Sequence, residues 1–156
     1  MQKKITTFLT FDDKAEEAMS FYTSIFPDSR IVSTTPGPDG TLMSGTFELT
    51  GQEFMALNGG PSFSFAQGFS LFVDCETQEE VDEFWEKLSE GGEKGPCGWL
   101  TDKFGVSWQV IPRALVEMLN DEDTEKARRV TEAMLQMSKI EIDDLRRAYE
   151  LAETSA

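Results

Sequence analysis

The chain has 156 residues and no histidine. Without imidazole, Ser-His-Asp and Cys-His catalysis are excluded, and so is every metal site built on histidine. The two cysteines, Cys75 and Cys97, are too few for a disulfide framework and lack the CxxC spacing of a redox or zinc motif. We therefore expect both to be free thiols, which is the usual state of cysteine in the cytosol.

Positive charge and long apolar runs are also scarce. Fourteen Lys and Arg against 29 Asp and Glu give a net charge of −15. Nucleic acids and anionic membranes bind clustered Lys and Arg, so we expect neither as a partner. No apolar run approaches the roughly 20 residues of a membrane-spanning helix. The N-terminal MQKKITTFLTFDD lacks the apolar run of a signal peptide, which predicts a cytoplasmic location.

Apolar periodicity and turn residues predict an α+β chain. Helices are expected after a cap at Asp12 or Asp13 and after a cap at Thr77, each with two glutamates in its first turn. The C-terminal part predicts helices at 113–119, at 124–137 (after Asp121 or Asp123), and from about Glu141. The predicted strands are 5–11, 30–35, 41–49, 52–58, 69–75, 94–97, 98–101 and 105–111, with Thr50-Gly51 as a hairpin turn.

The first 112 residues contain an internal repeat. A shift of 63 places Phe21-Tyr22 on Phe84-Trp85, and a shift of 54 places Gly51 on Gly105. The remaining pairs under these shifts are Thr7 with Ser70, Leu9 with Phe72, and Met55 with Gln109. A period this long indicates two similar modules. We predict tandem βαβββ modules at about 1–61 and 62–112, which together form a domain over 1–112, followed by a C-terminal helical extension over 113–156.

Five segments carry a resemblance to a known family: EEAMSFYTSIFPDS, GQEFMALNGGP, EVDEFWEKLSEGG, CGWLTDKFGVSWQVIP and AMLQMSKIEIDDL. With the duplicated βαβββ unit, they resemble the PhnB-like group of the vicinal oxygen chelate (glyoxalase/bleomycin resistance protein/dioxygenase) superfamily, over nearly the whole chain including its tail. The group often carries the label demethylubiquinone methyltransferase. The resemblance implies that the paired modules form a U-shaped cleft and that the protein is a homodimer.

The resemblance also implies where ligands would lie. Metal-dependent members of the superfamily bind a divalent cation through His, Glu or Gln on the first and last strands of each module. The matching positions here are Thr7, Met55, Ser70 and Gln109. None of these side chains is charged, which makes a poor site for a divalent cation. We therefore expect no metal and no cofactor, and no glycine-rich strand-to-helix turn supports a methyl-donor site.

Three functions remain open at this point. The first is a metal-free homodimer that binds a small organic ligand through Thr7, Ser70 and Gln109, with Leu9, Met55 and Phe72 lining the pocket. The second is an enzyme with a divergent active site, for which the candidate groups are Glu53, Asp74, Asp102 and Cys97. Asp102 is more typical of a turn residue than of a catalytic group, and the same holds for Asp74 at the end of a strand. The third is a structural or interaction protein that uses its helical tail. We favour the first.

Overall fold

The computed structural model describes residues 4–151, and the chain divides into two compact units after Phe65. The first unit contains β1 (Thr7–Phe11), α1 (Ala15–Ile25), β2 (Arg30–Pro36), β3 (Leu42–Leu49) and β4 (Gln52–Asn58). The second unit contains β5 (Ser70–Cys75), α2 (Gln78–Ser89), β6 (Glu93–Lys94), β7 (Trp99–Thr101), β8 (Ser107–Pro112), α3 (Arg113–Leu119), α4 (Thr124–Met134) and α5 (Ile142–Glu150).

Each unit has one four-stranded sheet, and the two sheets have the same topology. The strand orders are β1-β4-β3-β2 and β5-β8-β7-β6. The first and last strands of each module pair in parallel, and the remaining pairs are antiparallel. The predicted α+β class with two βαβββ modules and C-terminal helices is confirmed.

One face of the first sheet is covered by α1. Leu9, Phe47 and Ala56 are at most 2 % exposed on this face, and Gly45 lies so close to Met19 that a Cβ atom there would sit 2.7 Å from the Met19 Cε. The helix does not begin as predicted, because its N-cap is Lys14, which makes no side-chain capping bond.

The cap of α1 comes instead from the neighbouring strand. The backbone N–H of Ala15 donates to the Asn58 Oδ1 at 2.8 Å. Asn58 ends β4, so it is distant in sequence and is brought to the helix by the parallel pairing of β1 with β4. The predicted cap at Asp12 or Asp13 was wrong because a residue outside the local sequence supplies the acceptor.

The second unit follows the sequence prediction more closely at its helix. Thr77 is the N-cap of α2, and its hydroxyl accepts from the Glu80 N–H at 3.1 Å. Val81, Trp85 and Leu88 form the buried stripe of α2, and all three are at most 2 % exposed. The helix ends at Ser89, just before Gly91, which has φ +76°. The predicted cap and stop are confirmed.

The first strand and the helix of the two modules match at different sequence shifts, because the segments that connect them differ in length. β1 ends at Phe11 and α1 begins at Ala15, whereas β5 ends at Cys75 and α2 begins at Gln78. Three residues therefore connect strand to helix in the first module and two in the second. The helices α1 and α2 match at a shift of 63, but the first strands β1 and β5 match at 64. The pairs Thr7–Ser70 and Leu9–Phe72, predicted with the helix shift, are therefore offset by one residue. A slip of one residue reverses every side chain of a strand between the two faces of its sheet.

The C-terminal helices pack within the second unit. Their core contains Ile111, Leu115, Met118, Val130, Ile140 and Leu145, all of them buried. Asp123 caps α4 through bonds from the N–H groups of Glu125 and Lys126, as one of the two predicted caps. The helix ends at Met134, three residues earlier than predicted. In the part of the chain that the structure describes, no helix is long and apolar enough to cross a membrane.

Candidate functional site

The face of the second sheet that lies opposite to α2 carries two rows of side chains. In the strand register, Ser70 pairs with Ser107, which pairs with Thr101, and this gives a row of three hydroxyl groups. The next row is Phe72, Gln109 and Trp99. We call these six residues the open face of the second sheet. Leu71, Trp108 and Leu100 alternate with them and point to the helix side.

Gln109 lies at the centre of the open face, between two aromatic residues. Its Nε2 donates to the Ser70 Oγ at 3.0 Å, so the amide and the hydroxyl orient each other. Phe72 is 54 % exposed, whereas Trp99 and Gln109 are half-buried. With its amide N–H engaged by Ser70, Gln109 can offer its carbonyl oxygen to a ligand as an acceptor.

A cavity of about 280 Å³ lies at one edge of the open face. It is lined by Gln67, Gly95, Pro96, Trp99, Leu100, Thr101 and Ser107. No lining residue is charged, and the polar side chains are two hydroxyls, one amide and the indole of Trp99. Its volume is near the lower end of the usual range for small-molecule pockets.

The first sheet has an equivalent open face with different chemistry. Phe8 pairs with Met55, and Met55 pairs with Thr46. By strand register these three correspond to Phe72, Gln109 and Trp99. Phe8 is 50 % exposed and Met55 39 % exposed. The first open face therefore has an apolar side chain where the second has an amide.

The structure brings some of the predicted site residues together and separates others. Ser70, Phe72 and Gln109 share the open face of the second sheet, and Met55 lies on the equivalent face of the first. Thr7 and Leu9 lie on the opposite side of the first sheet from Met55, and Leu9 is 2 % exposed in the core. The one-residue difference between the strand–helix connections accounts for this placement.

Asp102 is a structural residue of the β7–β8 turn, as its position in the sequence indicated. It is 3 % exposed. Its Oδ1 accepts from the N–H groups of Phe104 and Val106 at 2.8 and 3.0 Å, and its Oδ2 accepts from the Trp108 Nε1 at 2.8 Å. Both carboxylate oxygens are thus engaged by the turn and by the helix side of β8, away from the open face.

The other two candidate acid–base groups lie at the surface, the candidate thiol Cys97 is half-buried, and the second cysteine, Cys75, lies in the core. Asp74 forms an ion pair of 2.6 Å with Arg113, and Glu53 is exposed on β4. Cys75 is fully buried, and this burial raises the pKa of its thiol to about 12, with smaller contributions from Glu80 and Asp74. A thiol with so high a pKa is not a nucleophile near neutral pH.

The donor set of the open face does not fit a divalent metal ion. Ser70 and Gln109 are hydrogen-bonded to each other, and neither position brings a carboxylate. Within residues 4–151, no three His, Cys, Asp or Glu side chains are grouped as metal ligands. A nucleotide-type methyl donor fits no better, since the strand–helix connections are Asp12-Asp13-Lys14 and Glu76-Thr77 and contain no glycine.

Sequence reasoning missed Trp99, Thr101, Ser107 and Gln67 as possible pocket residues. Trp99 and Thr101 lie on a three-residue strand, which is too short to show a clear alternation of faces. Ser107 did alternate with the expected site residue Gln109, and that spacing of two was the available signal. Gln67 precedes β5 in an irregular segment that carries no pattern.

Comparisons with known proteins agree on the family and the fold. Residues 3–111 match the family described as 3-demethylubiquinone-9 3-methyltransferase. A putative 3-demethylubiquinone-9 3-methyltransferase, PhnB protein, from Bacillus cereus is 44% identical over 70% of this chain and 99% of its own, with a TM-score of 0.65. No curated protein matches.

More distant solved structures show the fold alone. A structure of the genomically encoded fosfomycin resistance protein FosX from Listeria monocytogenes is 18% identical over 78% of this chain and 99% of its own, with a TM-score of 0.59. Protein PA1353 from Pseudomonas aeruginosa is 22% identical over 71% and 98%, with a TM-score of 0.58. The family match ends at Ile111, just before the C-terminal helices.

The match over residues 3–111 and the 44% identity to the Bacillus cereus protein show that the chain belongs to the PhnB-like, 3-demethylubiquinone-9 3-methyltransferase family, and its fold is the vicinal oxygen chelate fold.

Proposed function

We propose that this protein binds a small, uncharged organic compound with a planar ring on the open face of its second sheet, without a resident metal ion. The observation that carries the proposal is the row Phe72, Gln109 and Trp99, in which an amide lies between two aromatic side chains. Thr7, Leu9 and Met55, which belong to the first unit, are left out of this pocket.

The spacing of the row suits a flat ligand. Phe72 and Trp99 lie on strands that are separated by one strand, so their backbones are about 9–10 Å apart. A ring stacked between two aromatic groups needs about 7 Å, at the usual ring separation of about 3.5 Å on each side. Gln109 below the ring would fix its orientation through one hydrogen bond.

The charge of the open face favours a neutral ligand. None of its six side chains is charged, and the chain as a whole has a net charge of −15. An anionic ligand would have to lose its hydration without gaining a cationic partner, which is costly. The FosX structures include complexes with Mn(II) and with sulfate or a phosphonic acid, and we do not expect those ligands here.

The test combines metal analysis with a ligand screen. Elemental analysis of protein purified without chelators should find no stoichiometric Zn, Ni, Mn or Fe. A thermal-shift screen of neutral aromatic metabolites should find compounds that raise the unfolding temperature, and calorimetry then gives their affinity.

A pair of substitutions provides the control. Gln109→Met introduces the residue that the first module has at this position and should weaken binding by about tenfold, the loss expected for one buried hydrogen bond to a ligand. Met55→Gln makes the reverse exchange on the first sheet and should leave the affinity unchanged. Stoichiometric metal, or equal affinity of both variants, would show that the proposal is wrong.

We propose also that the protein is a homodimer, as the family resemblance suggests. In support, Ile31 and Val32 are each 38 % exposed on the edge strand β2 and Met43 is 40 % exposed on β3, and association would remove such apolar area from water. Sedimentation velocity at micromolar concentration should give a mass near 35 kDa, twice the chain mass of 17.5 kDa. A single species of one chain would contradict this proposal.

A further inference from the structure

One wall of the cavity is the turn 95–99, which contributes Gly95, Pro96 and Trp99. We infer that residues 137–142, which lead from the end of α4 into the first residue of α5, position this turn and thereby determine which ligand shapes the site at Trp99 accepts. The part of the inference that concerns ligands rests on the proposed ligand site on the open face, to which this turn contributes Trp99.

The turn has a conformation that needs external support. It is closed by a bond from the Gly95 N–H to the Trp99 carbonyl at 2.8 Å and one from the Trp99 N–H to the Pro96 carbonyl at 3.0 Å. At its centre, Cys97 has φ +58°, which is unfavourable for a residue with a side chain. Such a conformation persists where the surrounding structure holds it.

Residues 137 and 138 supply that support. The Cys97 N–H donates to the Met137 carbonyl and the Gly98 N–H to the Ser138 carbonyl, both at 2.8 Å. In return, the Ser138 Oγ donates to the Gly95 carbonyl at 2.6 Å. Three hydrogen bonds therefore connect two residues of the tail to three residues of the turn, Gly95, Cys97 and Gly98.

The supporting segment is itself fixed to α2. Gln78 donates from its Nε2 to the Ile140 carbonyl at 2.9 Å and accepts at its Oε1 from the Ile142 N–H at 2.7 Å. Ile140 is fully buried. It lies so close to the turn that a Cβ atom on Gly98 would be 3.1 Å from the Ile140 Cγ1.

Trp99 thus has its orientation set by residues far from it in the sequence. The family match ends at Ile111, so the residues that hold this wall lie outside the matched part of the chain. The open face itself, with Ser70, Phe72 and Gln109, lies inside it. We therefore expect the tail to distinguish the ligand preference of this chain from that of relatives that share only residues 3–111.

Tryptophan fluorescence tests the positioning without a ligand. Trp85 and Trp108 are each 2 % exposed, whereas Trp99 is half-buried, so Trp99 should account for most quenching by acrylamide. Trp99→Phe should abolish that component and confirm its source. Ser138→Ala removes one bond to the turn, and Gln78→Ala releases the segment from α2.

The expected result is a change in the Stern–Volmer constant of at least about 1.5-fold in both variants, since a loosened turn opens more often to the quencher. Ser24→Ala is the matched control, because Ser24 is also exposed and its hydroxyl also donates a 2.6 Å bond to a backbone carbonyl, that of Phe21. The control should leave the constant unchanged, and thermal unfolding identifies any variant that has lost its fold.

The outcomes separate this inference from the proposed function. If quenching in Ser138→Ala equals that of the unsubstituted protein, the tail does not position Trp99 and the inference is wrong, whatever the ligand screen gives. If quenching changes but no metabolite binds, the positioning is supported and ligand selection is refuted together with the proposed function. If a ligand binds, its affinity for Ser138→Ala should fall at least about threefold while the Ser24→Ala affinity stays constant.

Discussion

Asp102 offers the sharpest test of how the second unit is held together. Asp102→Asn keeps the shape of the side chain but replaces one acceptor oxygen by an NH₂ donor. In the unsubstituted protein, one carboxylate oxygen of Asp102 accepts from two backbone N–H groups and the other accepts from the Trp108 indole N–H. An asparagine carbonyl can serve either the two backbone donors or the indole, but not both.

The magnitude follows from these three bonds. One donor left facing an NH₂ group in a buried site costs about 1–3 kcal/mol. The hydrogen bonds that remain are made to a neutral amide instead of a carboxylate, and this weakening costs about 1 kcal/mol of stability in total. We expect Asp102→Asn to lower the free energy of unfolding by about 2–4 kcal/mol, a large fraction of the total stability of a domain of this size.

The assay is urea unfolding at pH 7, followed by far-UV circular dichroism. Asp74→Asn is the matched control, because Asp74 is exposed and its ion pair with Arg113 is of the kind that contributes at most about 1 kcal/mol. If the free energy of unfolding of Asp102→Asn is within about 0.5 kcal/mol of that of the unsubstituted protein, the reasoning that Asp102 holds the turn is refuted.

Two further substitutions test the backbone and the core. Thr50 has φ +49° in the two-residue hairpin turn with Gly51, and asparagine adopts this left-handed conformation more readily than threonine. Thr50→Asn should therefore raise the free energy of unfolding by about 1 kcal/mol in urea titrations, and a loss of stability would contradict the left-handed conformation at Thr50. Burial raises the pKa of Cys75 from 9.0 to about 12 in the folded state. The contribution of the neutral thiol to the free energy of unfolding is therefore complete below pH 9 and is lost as the pH rises towards 12. Cys75→Ala should therefore be less stable at pH 8 and show a smaller deficit at pH 11, whereas a constant deficit would refute the burial argument.

The sequence predicted the elements whose signals are local. Thr77 as the cap of α2, the hairpin turn at Thr50-Gly51 and the bounds of α3 all depend on residues within a few positions of one another. The repeat of βαβββ modules was visible for the same reason, since each helix stripe has its own period. The cap of α1 was not visible, because Asn58 reaches Ala15 across 43 positions.

The candidate site was predictable only where the strands were long. The family resemblance indicated Ser70 and Gln109, and Phe72 was expected to line the pocket beside them; all three lie on β5 and β8, each six residues long. Trp99 lies on a strand of three residues, and its place beside Gln109 depends on antiparallel pairing that the sequence does not display. Its support by residues 137 and 138 is likewise a contact between distant segments.

The difference between the two open faces is the strongest reason to look for a ligand on the second. An amide beside aromatic groups must find hydrogen-bond partners, and Gln109 does so through Ser70. The first module has Met55 at the same position, where no such partner is required. Since an apolar residue suffices for the sheet in one copy, the fold does not explain the polar pair in the other. Recognition of a polar atom on a bound molecule would explain it, and the exchange of Gln109 with Met tests that explanation directly.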